Sequence, residues 1–127
     1  MGEGSFVTAI NCMDGRTQLP VIEWLRREFG AEYVDSVTEP GPIRQLAEEP
    51  RGRAALSMLA RVAISVNRHG SRTVAVVAHD DCAGNPEPKE VQLEQLRRAV
   101  DTVMGWGLEV EVVGVWLGSE WQVERVL

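Results

Sequence analysis

The chain has 127 residues, 44% of them hydrophobic, a formal net charge of −6 at pH 7 and two cysteines. Its length suits one domain over residues 1–127 that buries a core without disulfides. The acidic balance excludes the basic footprint of a nucleic-acid binder, and no apolar run approaches the ~20 residues of a membrane span.

Met1-Gly2-Glu3-Gly4-Ser5 carries an acidic residue ahead of only a short apolar run. That is not a secretory signal, so the expected compartment is the cytoplasm, where thiols stay reduced.

Strand-like and helix-like segments alternate along the chain. Phe6 to Asn11 reads as a first strand. Thr17 to Phe29 reads as a helix capped by Thr17, with Val21, Ile22, Leu25 and Phe29 as its apolar stripe and Gly30 as its stop. Glu32 to Thr38 is a second strand, and Glu39-Pro40-Gly41-Pro42 is a loop. A short helix covers Ile43 to Glu48. Arg53 to Arg68 is a longer one, with Leu56, Leu59, Ala63 and Val66 on one face.

Thr73 to Ala78 (TVAVVA) is almost wholly apolar, as a parallel strand buried on both faces should be. A helix within Glu87 to Met104 takes Val91, Leu93, Leu96, Val100, Val103 and Met104 as its apolar set. Glu109 to Trp116 is a fourth strand, and Trp121 to Val126 alternates as a fifth, edge strand. The four tryptophans read as core or interface. The arginines at 51, 53 and 61 and at 97 and 98 read as solvated helix faces.

This alternation predicts an α/β fold: a mainly parallel sheet of four strands in the order 2-1-3-4, with helices on both faces and the extra edge strand. In such sheets ligands bind beyond the carboxyl ends of the strands, where strand order reverses. Two motifs lie there. Cys12-Met13-Asp14-Gly15-Arg16 follows strand one, and His79-Asp80-Asp81-Cys82 follows strand three. The predicted order sets those strands side by side, so the motifs would meet.

Two thiolates and an imidazole suit Zn²⁺, and three protein ligands leave a fourth coordination position open, as catalytic zinc sites do. Cys12, His79 and Cys82 are therefore the expected metal ligands. Asp14 and Arg16 can meet as a charge-assisted pair within one turn. Asp14 then either accepts a hydrogen bond from a metal-bound water or itself fills the fourth position and closes the site. His69, at a predicted helix end beside Gly70, reads as a cation offsetting the helix dipole. Asp80 and Asp81 read equally as a solvated turn or as second-sphere groups. An apolar wall would favour a small linear substrate, and Phe29, Val34, Val37 and Ile43 are candidates for it.

Cys12-x-Asp14-x-Arg16 followed by His79-x-x-Cys82 resembles the β-class carbonic anhydrases, over most of the chain. The resemblance implies zinc held by Cys12, His79 and Cys82, with Asp14 and Arg16 as gate and orienting pair. It also implies reversible hydration of carbon dioxide to bicarbonate by a metal-bound hydroxide, in a homodimer or higher homo-oligomer whose pocket includes partner residues. This chain departs from the family pattern in three ways. It lacks the N-terminal helical arm. Thr38-Glu39-Pro40-Gly41 stands where an Arg-Asn-Ala-Gly segment is usual. Ala83 replaces the glycine after the second cysteine, with Gly84 displaced by one. The altered loop keeps a carbonyl sulfide or carbon disulfide hydrolase open as an alternative, and the missing arm keeps open a non-catalytic zinc protein with Asp14 as fourth ligand.

Overall fold

A computed structural model of the chain describes residues 5–127. Met1–Gly4, on which the reading of the N-terminus rests, lie outside the described residues. The elements run β1 (Phe6–Cys12), α1 (Gly15–Phe29), β2 (Tyr33–Glu39), α2 (Pro42–Glu48), α3 (Arg53–His69), β3 (Thr73–His79), α4 (Lys89–Met104), β4 (Glu111–Leu117) and β5 (Val123–Arg125). Among the described residues one sheet contains the five strands, in the order β2-β1-β3-β4-β5. The first four pair in parallel, and β5 runs antiparallel along β4. This is the α/β arrangement expected from the sequence.

Strand alternation divides the core into two layers. Ile10, Val74, Val76, Ala78 and Trp116 face α2, α3 and α4, where Ile43, Leu46, Met58, Val62, Leu96 and Val103 close over them. Val7, Ala9, Ala75, Val77, Val113 and Val115 face the other way, towards Val21, Trp24 and Leu25 of α1. β3 is buried along its whole length, which is why its sequence is apolar on both faces.

Several local expectations are corrected. The cap of α1 is Asp14, whose carboxylate accepts from the Arg16 backbone N–H, and Thr17 lies buried inside the helix. On α3 the inward stripe is Ala55, Met58, Val62, Ser65 and Val66, whereas Leu56 is 51% exposed. On α4, Val91 and Met104 face solvent, while Gln92 and Gln95 are buried. These helices turn Met58 and Val62 of α3 and Leu96, Val100 and Val103 of α4 towards the sheet, with the two glutamines buried beside them. β5 is shorter than predicted because Trp121 adopts a left-handed turn conformation, with φ 61°. Arg61 is not a free surface group: its guanidinium pairs with the partly buried Glu39 carboxylate. No helix among the described residues is long and apolar enough to cross a membrane.

Candidate metal centre

Cys12 is the last residue of β1 and His79 the last of β3. These strands are parallel neighbours, with Ile10 in register with Val76, so both side chains emerge at the same carboxyl edge. The chain leaves β3 through Asp80 and a left-handed Asp81 (φ 55°), and that turn brings Cys82 back beneath the edge. One ligand atom from each of Cys12, His79 and Cys82 lies within 4.8 Å of the others, and all three residues are buried.

The geometry suits a metal on three counts. Both cysteines are free, with their Sγ atoms 3.9 Å apart; tetrahedral Zn–S bonds of about 2.3 Å would set two sulfurs roughly 3.8 Å apart. His79 Nδ1 donates to the Asp80 carbonyl at 2.6 Å, which fixes the tautomer and leaves Nε2 with a lone pair. That Nε2 is buried and has no hydrogen-bond partner among the described residues, an unusual condition for a buried polar atom.

The electrostatics favour anionic sulfur. The contact polarises the thiol pair: hydrogen bonding from Cys82 outweighs the cost of burial and, with His79 and the backbone N–H groups of Gly41 and Asp14, draws Cys12 well below the ordinary thiol range. Cys82 is pushed up by that same contact and by burial, against the N–H groups of Gly84 and Asn85. Burial opposes charge on His79. The neighbouring Cys12 sulfur, which makes no geometric hydrogen bond to Nε2, and the Asp80 carbonyl outweigh it and raise its pKa.

Asp14 and Arg16 form one compact pair. Arg16 Nη2 donates to Asp14 Oδ2 at 2.7 Å, Nε donates to Oδ1 at 3.1 Å, and the Arg16 backbone N–H donates to Oδ1 at 2.9 Å. This arrangement holds the Asp14 carboxyl down to about 2, below its ordinary 3.8. Asp14 does not belong to the three-residue ligand group.

Other assignments meet the structure unevenly. Asp81 joins the Arg16 cluster, its carboxylate 3.3 Å from Nη1. Asp80 bonds His79 Nδ1 through its carbonyl, and it lines an outer cavity. His69 does end α3, yet its Nδ1 bonds Asp35 at 2.7 Å and its ring stacks on Phe6. Of the four wall candidates, only Ile43 lines the small cavity behind the ligands, beside Pro42, Val77 and Ala78. Phe29 and Val34 pack on the α1 side of the sheet.

Three supporting residues escaped sequence reasoning. Gln18 Nε2 donates to the Cys12 carbonyl at 2.7 Å, and Gln92 Nε2 donates to the His79 carbonyl at 2.9 Å. Trp121 covers the face of Arg16, whose guanidinium carbon is 4.4 Å from the ring centroid. The available signal was glutamine at an inward position of an amphipathic helix, since a buried amide needs a polar partner.

The "putative carbonic anhydrase" family model matches residues 2–127. No curated protein matches the chain. Among solved structures, a carbonic anhydrase from Streptococcus mutans is similar at 16% identity and a TM-score of 0.57, over 95% of this chain and 81% of that one. A β-carbonic anhydrase from Trichomonas vaginalis is similar at 11% identity and 0.61, over the same shares. One of two tetrameric β-carbonic anhydrases from Sordaria macrospora is similar at 14% and 0.55, over 98% of this chain and 82% of that one. With its sheet order and the family match running almost end to end, the chain belongs to the "putative carbonic anhydrase" family and carries the β-carbonic anhydrase fold.

Proposed function

We propose that this protein is a zinc-dependent carbonic anhydrase that hydrates carbon dioxide reversibly to bicarbonate and a proton. The observation that carries the reading is the convergence of Cys12, His79 and Cys82 beside an Asp14–Arg16 pair. Zinc, when bound by these three residues, makes a coordinated water acidic enough to supply a nucleophile near neutral pH.

The protein's own groups do the rest. His79 presents Nε2 because Asp80 occupies Nδ1. Gln18 and Gln92 tie the Cys12 and His79 backbone carbonyls to helices α1 and α4, which steadies the ligand positions. Asp14 stays ionised under Arg16, so it is an acceptor only. A water beside it must donate a proton to its carboxylate, and this fixes that water's orientation. Asp80, Asp81 and Glu87 line the outer cavity with Arg16 and offer carboxylates to carry the released proton to solvent. Pro42, Ile43, Val77 and Ala78 back the ligands with apolar groups packed too closely to admit a water, so substrate approaches from the outer cavity.

We read the site residues as Cys12, His79 and Cys82 for the metal and Asp14 and Arg16 for catalysis, in a cytoplasmic homo-oligomer. The tetrameric fold relatives and the exposed Met13 and Leu19 near the site support the last point. Stopped-flow carbon dioxide hydration by the zinc-loaded protein between pH 7 and 9 tests the reaction. A rate above buffer that vanishes on chelation is expected. Sulfide release from carbonyl sulfide without carbon dioxide hydration would replace this reading, and zinc binding without either turnover would reduce the protein to a metal-binding one.

A further inference from the structure

Among the described residues, only two that are not glycine adopt positive φ: Asp81 at 55° and Trp121 at 61°. They lie on different loops, and both touch Arg16. A bulky residue in the left-handed region is strained and persists only where its surroundings over-determine it. In Trp121 the backbone N–H donates to the Gly118 carbonyl at 2.9 Å, which closes the turn ahead of β5, and the indole lies back towards Arg16 and His79. The ring then lies 4.4 Å from the Arg16 guanidinium carbon and 5.8 Å from the His79 ring centroid.

The guanidinium is enclosed on two sides by different chemistry. In its plane, Nε and Nη2 donate to Asp14, Nη2 also donates to the Asp81 carbonyl at 3.1 Å, and Nη1 donates to the Asp81 carboxylate at 3.3 Å. Against its face sits the indole, the aromatic surface that attracts a cation most strongly. Enclosure matters because the Arg16 side chain is 47% exposed. An ion pair that open to water holds its geometry weakly.

We infer that Trp121 is a positioning residue: its ring, with Asp81, locks Arg16 in one orientation, and Arg16 in turn holds the Asp14 carboxylate in place beside the metal ligands. The aspartate-arginine pair, close in sequence, is thus completed by a tryptophan from the far end of the chain. This role rests on the reading of Asp14 in the proposed reaction, but the state of Arg16 is observable without turnover.

The test uses zinc-loaded full-length protein with Trp121→Leu, which keeps apolar bulk, and Trp121→Phe, which keeps an aromatic face. Two readouts are taken: the Arg16 Nε–Hε NMR signal, and kcat and KM for carbon dioxide hydration. In the unaltered protein the Arg16 Hε signal should be ring-current shifted and slow to exchange with water. The Leu variant should lose exchange protection and about fivefold in kcat with KM unchanged, at equal zinc content. The Phe variant should recover most of both. A rapidly exchanging Arg16 signal in the unaltered protein would overturn the inference even if no variant folded. Equal losses in the Leu and Phe variants, or none in either, would overturn it too. If the unaltered protein hydrates no carbon dioxide, the proposed function fails while the Arg16 signal still decides the role of Trp121.

Discussion

Gly41 and Gly84 meet backbone against backbone beneath the metal ligands. A Cβ placed on Gly41 would lie 2.8 Å from the Gly84 carbonyl carbon and oxygen, and one on Gly84 would lie 2.7 Å from the Pro40 carbonyl carbon. The loop after β2 and the loop after Cys82 therefore interlock, and their backbone N–H groups favour charge on the sulfurs: Gly41 on Cys12, Gly84 and Asn85 on Cys82. The glycine displaced by one position after the second cysteine is thus used as a contact surface.

Gly41→Ala should both destabilise the fold and weaken metal binding. Gly41 has φ 56°, and forcing alanine there costs about 1–3 kcal/mol before any clash is counted. Gly30→Ala is the control, because Gly30 has φ 64° but nothing within 4 Å of its Cβ position. Urea unfolding and zinc titration of both variants check this. Both should lose stability, and only Gly41→Ala should lose zinc affinity.

Metal removal should be visible in stability. A ligand that binds only the folded chain adds about 2.7 kcal/mol at a free concentration one hundred times its Kd. Zinc-loaded protein should therefore unfold at a higher temperature than chelator-treated protein. His79→Ala and Cys82→Ser should lose the difference together with equimolar zinc on metal analysis. Retention of full zinc by His79→Ala would rule out the proposed ligand set.

The strand order and the meeting of the two motifs were legible because they depend on coarse signals. β3 is apolar at nearly every position, and the ligands sit at strand ends, where topology alone sets their neighbours. The faces of α3 and α4 were legible only in part: Val66, Leu96, Val100 and Val103 do face the core. Leu56 and Val91 look like core residues, yet the helices turn Met58, Gln92 and Gln95 inward. Those glutamines are tolerated because distant partners satisfy them: Gln92 bonds the His79 carbonyl, and Gln95 accepts from Asn85 Nδ2 at 2.7 Å. Such pairings have no local sequence period. Trp121 was hidden for a related reason, since its meaning depends on a turn that no hydropathy pattern encodes.

Asp14→Asn should separate binding from chemistry. Zinc content should stay unchanged, since Asp14 lies outside the ligand group, while kcat/KM for carbon dioxide hydration should fall about 10²-fold as the acceptor for the water proton is weakened.

The same residue makes an acid-stability prediction. The Asp14 pKa is held at about 2 in the folded protein against an ordinary 3.8. A depressed carboxyl stabilises the fold above its unfolded pKa and loses that contribution as pH falls through the folded one. In zinc-free protein, the stability gap between unaltered chain and Asp14→Asn should be full at pH 6, reduced but still open at pH 2.5, and nearly closed only near pH 1, read by urea unfolding. Added salt should narrow the gap, because Arg16 is substantially exposed. A gap that widened towards low pH would contradict the assigned pairing.

At the opposite end of β1, a chain of hydroxyls ties the sheet to α3. Thr8 Oγ1 donates to Ser71 Oγ at 2.7 Å, Ser71 Oγ donates to the Thr73 carbonyl at 3.0 Å, and Ser65 Oγ donates to Asp35 Oδ2 at 2.7 Å. The Thr8 and Ser65 oxygens are 2.6 Å apart. Thr8, Ser65 and Ser71 are all buried, so none can turn to water for a replacement partner. Thr8→Val keeps the shape but takes one partner from each of two buried hydroxyls, which keep their bonds to Thr73 and Asp35, and should cost about 1 kcal/mol. Ser65→Ala should cost less, because Asp35 keeps its bond from His69 Nδ1. In the double variant the Thr8–Ser65 contact is absent from both sides, so its cost should fall short of the sum of the two single ones. Urea unfolding with matched slopes measures all three, and strict additivity would show that the two hydroxyls are not coupled.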